Sequence, residues 1–509
     1  MSMQEEIDRI AALLYEKCAS FLSDQGDSYI DPIENKEIIA HYGFTHFAVG
    51  TLIRGIRLEE PDLIESSEKM VRAIVNKWNI MKLKSEFHAD FNMFALCVYE
   101  ELTTNMELKP AIKEIVINTK DSKHLTINWL PMRLYVNYKR YGWTSDEKYL
   151  KVCMELKDTI NRACYADGYI DDRLPKGTSF NLQYDISTVA LLVFLNNHTD
   201  IQFEIADKLG ALVNAIMPDG DINYQGRGSN QIFAWGPWIY LLNVTRRNQE
   251  LDVATSFIMA HTDFLDNNNI MLNEFPGESK YLWWDYHYSS VYLAHFQFWT
   301  ELSLVEKKTE IHSVPYSCNK DSGIRILKDD DYFIFWFNGR SEYLAESGPS
   351  IASIWTRKHG TIFKGSFGPW GGRFGEQNLV QGIALNNSLG MYCGKVAPHI
   401  SKNRILRKIQ SFFKPRFRYE FEPVFTLKSI KTSSHHIELL YTIPKNKRVY
   451  FSFPVFEDCK LSANEIQALA DGKEIQFVYT GTYRNQYGSV KMFQTRCCTG
   501  TEMVIIINY

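Results

Sequence analysis

The densest run of side chains able to do chemistry is Asp219-Gly220-Asp221-Ile222-Asn223-Tyr224-Gln225-Gly226-Arg227-Gly228-Ser229-Asn230-Gln231. Glycines at 220, 226 and 228 permit a tight loop from which Tyr224 and Arg227 project, and an apolar segment, Ile232 to Leu242, follows directly. A phenol beside a guanidinium is a proton acceptor and donor, because the cation favours the phenolate. A phosphate cradle is the rival use of such glycines. It calls for a preceding buried parallel strand and a Lys-Ser/Thr pair, and the sequence has neither.

Related clusters recur upstream and downstream. They are His41-Tyr42-Gly43-Phe44-Thr45-His46, Phe87-His88-Ala89-Asp90-Phe91-Asn92, Ile127-Asn128-Trp129, Phe180-Asn181-Leu182-Gln183-Tyr184-Asp185, Arg227 to Phe233, and Trp283-Trp284-Asp285-Tyr286-His287-Tyr288-Ser289. The intervals are about 40 to 56 residues, the range of repeat architectures. A lone His or Asn at a helix start is ordinarily a cap. Capping does not call for His, Tyr, Trp and Gln in six successive units, so the reading favoured here is one shared site built from His88, Asn92, Asn128, Trp129, Gln183, Tyr184, Gln231, Trp284, His287, Tyr288 and His41.

The elements that must position these residues follow from periodicity. From Glu5 to about Leu302 apolar residues recur at helical spacing, broken at Asp27 to Pro32, Asp167 to Gly177 and Pro218 to Gly228, which gives about twelve helices. Helices such as Glu60 to Trp78 and Asp146 to Tyr165 carry a charged stripe opposite an apolar one and suit an outer layer, whereas Phe94 to Val98, Val189 to Leu195 and Ile232 to Leu242 are apolar nearly all round and suit an inner one. Six antiparallel hairpins closing into an (α/α)6-like toroid would bring every inner-helix start to one rim. Residues 306–322 read as a linker. Beyond it, short alternating runs at Tyr332 to Phe337, Thr361 to Phe363, His436 to Tyr441, Arg448 to Phe453, Ile475 to Tyr479 and Met503 to Tyr509 predict an antiparallel β-sandwich. The expected domains are 1–305 and 323–509.

With 509 residues the chain exceeds one ordinary core, and 45% hydrophobic with 23% charged residues is a globular composition. A net charge of −4 offers no support for nucleic-acid or membrane-surface binding, and no stretch approaches the ~20 apolar residues of a membrane span. The N-terminal segment reads as a helix, not a signal peptide, so a cytoplasmic location is expected. Nine cysteines without C-x-x-C spacing read as free thiols, and His435-His436 has no metal-ligand partner nearby; no cofactor is expected. Oligomeric state leaves no mark in the sequence. Aromatics make up 14% of the chain and supply flat faces on which sugar rings stack.

Acidic sugar polymers can be cleaved by removing the weakly acidic proton at C5 of a uronate and expelling the group at C4. The adjacent carboxylate must be neutralised, by amides, imidazole or Arg, and a base and an acid are needed. Asn128, Gln183 and His88 are candidate neutralisers, Arg227 the cation, Tyr224 or Tyr184 the base and acid, and His287 a second candidate base. A helical toroid followed by a β-sandwich resembles the polysaccharide lyases of the chondroitin AC lyase, hyaluronate lyase and heparinase II/III type. In the first two an Asn-Trp pair opens an inner helix and its Asn binds the uronate, and Asn128-Trp129 is similar to it. The family's Asp-Gly turn before a helix with a catalytic His is matched by Asp167-Gly168, but here the helix brings Gln183-Tyr184 and no His. The family Tyr and Arg resemble Tyr224 and Arg227 in kind. The resemblance implies an acidic polysaccharide or oligosaccharide substrate.

Two other classes fit the same architecture. An inverting glycosidase needs two carboxyl groups about 6.5 to 9.5 Å apart, and Asp90, Asp185 and Asp285 all stand at inner-helix starts. A non-catalytic glycan-binding or polysaccharide-assembly protein would use the aromatic faces alone. In the β region, the basic stretch Ser401 to Tyr419 reads as a solvated edge or as a guide for an acidic chain, and Trp355-Thr356-Arg357 and Gly368 to Arg373 as a strand and an exposed loop.

Overall fold

The computed structural model describes residues 3–30, 37, 42–78, 88–123, 126–176, 180–222, 224–225, 232–262, 283–312, 321–337, 350–364, 383–384, 392–393, 426–433, 435–445, 452–456, 465–485, 488–495, 498 and 500–508, with backbone alone for 283–290, 350, 363–364, 383–384, 392–393, 452–456, 480–492 where described, and 494. Arg227, Gln231 and His41 fall outside the described residues, as do the stretches 368–373 and 401–419. Trp284, Asp285, His287 and Tyr288 are known only as helical backbone.

Twelve α-helices come first among the described residues: α1 Met3–Ala19, α2 Tyr42–Leu58, α3 Pro61–Lys77, α4 Ala89–Leu102, α5 Leu108–Asn118, α6 Leu130–Thr144, α7 Glu147–Ala163, α8 Leu182–His198, α9 Ala206–Asn214, α10 Trp235–Val244, α11 Asn248–Ala260 and α12 Trp283–Val305. Two kinds alternate, as the periodicity predicts. In α3 the buried residues Ser67, Met70, Val71 and Ile74 form one stripe at helical spacing, and α7 repeats this with Cys153, Leu156, Ile160 and Ala163. In α8, by contrast, burial runs almost unbroken from Leu182 to Leu195, and α10 is buried throughout. Local chemistry sets the ends. Pro61 opens α3, and Asp146 and Asn181 cap α7 and α8 through their side chains.

The buried helices pack in a closed order. α2 lies on α4, α4 on α6, α6 on α8, α8 on α10, α10 on α12, and α12 returns to α2. The amphipathic helices pack outside them, α3 on α2, α7 on α6, α11 on α10 and α1 on α12. At the far end of this ring, His198 of α8 contacts Glu306 at 2.8 Å and Glu101 of α4 at 3.4 Å, while Tyr135 of α6 and Tyr240 of α10 donate their hydroxyls to Glu101 and Glu306. One polar cluster thereby ties five consecutive segments together. Among the described residues no helix is long and apolar enough to cross a membrane.

The strands come after the helices and pair antiparallel throughout. β1 Ile324–Lys328, β2 Tyr332–Phe337, β3 Ser350–Thr356 and β4 Gly360–Lys364 form one sheet in chain order. A second sheet has the order β11-β10-β14-β8-β7, with β7 Thr426–Thr432, β8 His436–Thr442, β10 Ile466–Ala470, β11 Lys473–Ile475 and β14 Glu502–Asn508. β12 Phe477–Asn485, β13 Gly488–Thr495 and β9 Ser452–Phe456 form a third, and β5 Ile383–Ala384 pairs with β6 Tyr392–Cys393. The run expected as one strand at Ile475 to Tyr479 spans the break between β11 and β12.

Alternation along β2 explains the layering. Phe333, Phe335 and Phe337 join the apolar core of the helices, while Ile334 joins Ile351, Ile354, Leu439, Tyr441 and Ile505 in a separate core shared with the second sheet. The first sheet thus lies with one face on the helices and the other on the second sheet.

Candidate functional site

Helix starts meet one another at one end of the ring. Tyr42 at the head of α2 stacks on Phe91 of α4, with ring centroids 4.4 Å apart, and touches His88, the residue before α4, at 5.2 Å. His88 and Phe91 in turn contact Trp129 at 5.6 and 5.4 Å. Phe233, just before α10, joins Phe91 to Tyr184 of α8 at 5.8 Å and to Tyr292 of α12 at 5.9 Å. Side chains from six segments far apart in sequence therefore form one aromatic and polar cluster.

Asn128 and Trp129 lie in a single turn of 3-10 helix that leads into α6. This turn is held by the Ile127 N–H, which donates to the Asp172 carbonyl at 2.8 Å. Asn128 is buried, and its Oδ1 has no hydrogen-bond partner within the protein. Such an atom costs about 1–3 kcal/mol, so a buried amide left this way calls for an explanation. Gln183 is buried in the first turn of α8, its N–H bound to the capping Asn181, and Tyr184 beside it is only partly buried. Asn92 accepts the Thr45 hydroxyl at 2.6 Å, which joins α4 to α2.

The sequence expectation is corrected at Tyr224. This residue lies outside the cluster, fully buried, with its ring 5.2 Å from Phe335 and 6.4 Å from Phe333 of β2. Its hydroxyl donates to the Ala215 carbonyl. Burial, reinforced by Asp221 and Asp219, holds its pKa well above that of an ordinary phenol, the opposite of what a base requires. The loop around it has a docking role. Asp219 accepts the Thr361 hydroxyl of β4, and Gln225 takes the Leu182 N–H on its Oε1 at 2.9 Å, fixing the start of α8. Asp167, in the equivalent turn one repeat earlier, accepts the Ser322 hydroxyl at 2.7 Å. The glycine after each Asp has positive φ, +92° at Gly168 and +98° at Gly220, and a Cβ there would lie 2.4 Å from the Asp207 carbonyl oxygen or 2.6 Å from that of Val253.

Of the three carboxylates proposed for a hydrolytic pair, Asp90 and Asp185 can be described, and the side chain of Asp285 lies outside the described residues. Asp90 is paired with Arg133 at 2.8 Å and accepts the Ser122 N–H. Asp185 accepts the Ile170 N–H on Oδ2 at 3.3 Å, its Oδ1 has no hydrogen-bond partner within the protein, and the charges that act on it are Lys208, Asp167 and Asp171. Burial pushes its pKa well above the usual carboxylate range.

His46 and His295 form a feature that sequence inspection missed. They meet beneath the cluster with their Nδ1 atoms 3.0 Å apart. His295 falls inside an apolar helix, and nothing in its neighbours' identities marks it. Among the described residues no group of three or more His, Cys, Asp or Glu could hold a metal.

No family model matches the chain, and no curated protein matches it either. Among solved structures it is similar to the Lin0763 protein from Listeria innocua, with 14% identity, a TM-score of 0.42 and coverage of 61% of this chain and 100% of the other. It is also similar to an alpha-1,6-mannanase from Salegentibacter sp. HEL1_6, with 12% identity, a TM-score of 0.41 and coverage of 60% and 100%. A structure described as a polysaccharide lyase aligns with 13% identity, a TM-score of 0.40 and coverage of 60% and 98%.

Proposed function

We propose that the ring of helix contacts is an (α/α)6 toroid followed by a β-sandwich, and that the chain is a glycan-processing enzyme that cleaves uronate-containing oligosaccharides or polysaccharides by β-elimination. The observation that carries this reading is Asn128: a buried amide in the turn that leads into an inner helix, next to Trp129 in sequence, that lines one small cavity with Phe91, Phe233 and His295 and whose Oδ1 has no partner within the protein. In the proposed reaction Asn128 and Gln183 hydrogen-bond the uronate carboxylate, which stabilises the charge that develops on it as the C5–H bond breaks. Tyr184, acting as its phenolate, takes the C5 proton, the C4–C5 double bond forms as the C4–O bond breaks, and the resulting phenol gives that proton to the departing oxygen. Trp129 offers its ring to the sugar. His88 stands as an alternative base, and Arg227, His287, His41, Gln231, Trp284 and Tyr288 remain proposed contributors from the same rim.

Elimination is preferred over hydrolysis here because Asp90 is engaged by Arg133 and Asp185 by the Ile170 N–H; the side chain of Asp285, the third candidate, lies outside the described residues. A panel of uronate-containing glycans, assayed in parallel for near-ultraviolet absorbance and for new reducing ends, tests the reading. Absorbance that disappears in Asn128→Ala is the expected result. Reducing ends without absorbance would instead establish hydrolysis.

A further inference from the structure

His46 on α2 and His295 on α12 take no part in the chemistry proposed above. They are 0% and 3% exposed, and their rings stack with centroids 5.0 Å apart. Phe233 stacks on His295 at 4.5 Å and Phe298 on His46 at 4.9 Å. Two Nδ1 atoms 3.0 Å apart share one proton: two lone pairs or two N–H groups facing each other would repel. Neutral rings in this contact are complementary tautomers. One carries Nδ1–H and a bare Nε2, the other a bare Nδ1 and Nε2–H. Neither Nε2 has a partner within the protein. Burial keeps both rings neutral, lowering His46 to about 3 against a weaker pull from the nearby Phe91 carbonyl, and His295 well below its ordinary value, with His46 adding to the effect.

A small cavity of about 10 Å3, close to the room one water needs, is lined by His46, His295, Asn128 and Trp299 among others. Asn128 Oδ1 and Trp299 Nε1 are also buried without partners. The lining residues therefore hold two unused donors and two unused acceptors, the complement of a water's two lone pairs and two protons.

We propose that this cavity is a binding site for one structural water, which donates to Asn128 Oδ1 and the bare imidazole nitrogen and accepts from the other imidazole and from Trp299. The histidine pair thereby fixes which way the Asn128 amide faces. With Oδ1 held from below, the amide N–H groups are directed to the rim, as recognition of a carboxylate requires. His46 and His295 are positioning residues in this scheme. Their effect on turnover rests on the elimination reading; the water site does not.

A high-resolution crystal structure of the wild-type protein tests the site itself. A density peak within about 3.2 Å of Asn128 Oδ1 and both Nε2 atoms is expected, and a dry cavity would overturn the proposal. Nitrogen-15 histidine NMR on the same protein should find one tautomer of each kind, unchanged between about pH 8 and pH 5; matching tautomers, or a ring titrating near its usual ~6.5, would contradict it. The positioning role is read in His46→Phe/His295→Phe. Replacing both partners with apolar rings should leave the thermal midpoint unchanged or raised while kcat/KM on uronate oligosaccharides falls about tenfold or more. Undiminished kcat/KM in a folded double variant would refute that role. If no glycan is turned over at all, the elimination reading fails, and the density and NMR results alone decide the water site.

Discussion

Two stretches of the same rim use similar residues differently. At the starts of α4 and α6, His88 meets Tyr42 and Trp129, and Asn128 lies in the same turn as Trp129. In the loops before α8 and α10, Asp167, Asp219 and Tyr224 meet Ser322, Thr361 and the phenylalanines of β2. The first stretch keeps a buried amide atom without a partner; in the second, although Asp167 Oδ1 likewise has none, Asp167 and Asp219 accept hydroxyls of the β region and Tyr224 donates to the Ala215 carbonyl. On the proposed reading, polar residues at a repeat boundary serve either as a site or as a fastening. The difference lies in whether another layer of the molecule supplies their partners.

The sharpest break of that contrast is backbone geometry. Gly168→Ala forces a Cβ against the Asp207 carbonyl at positive φ, and a loss of about 3 kcal/mol or more is expected in denaturant unfolding. Asn128→Ala, in contrast, should lower turnover about 10²- to 10³-fold with little change in thermal midpoint, as measured by steady-state kinetics beside calorimetry. Asp167→Ala removes the acceptor of the Ser322 hydroxyl and should cost about 1–3 kcal/mol while leaving turnover unchanged.

Much of this organisation was legible in the sequence. The alternation of striped and uniformly apolar helices, and the run Tyr332 to Phe337 as a strand, follow from periodicities of 3.6 and 2 that burial imposes directly. The position of Asn128 and Trp129 was legible: the sequence places them at a helix start, and they lie in the turn that leads into α6. Tyr224 was misread for a physical reason. Its loop is rich in glycine and acid, but its role depends on Phe333 and Phe335, more than a hundred residues later, and no local pattern encodes that contact. His295 was missed because one imidazole in an apolar helix acquires meaning only from His46 across the ring.

The far end of the ring gives a smaller effect with a defined pH window. His198 is raised to about 9: burial alone would lower it, but its hydrogen bonds and charge attraction to Glu101 and Glu306 outweigh that. Its folded value lies above the unfolded ~6.5, so its contribution is complete below that pH and is lost as pH rises through about 9. His46 and His295 have lowered values, so their penalty appears as pH falls below ~6.5. Unfolding free energy measured against pH should decline on both sides, and His198→Gln should flatten the alkaline limb only.

The division of the rim into site and fastening is tested most directly by one paired assay, near-ultraviolet absorbance on a uronate glycan with Tyr184→Phe and Tyr224→Phe side by side. The account predicts that absorbance is abolished in the first and retained in the second, which loses only about 1 kcal/mol of stability with its hydrogen bond to Ala215. Activity kept by Tyr184→Phe and lost in a folded Tyr224→Phe would contradict it.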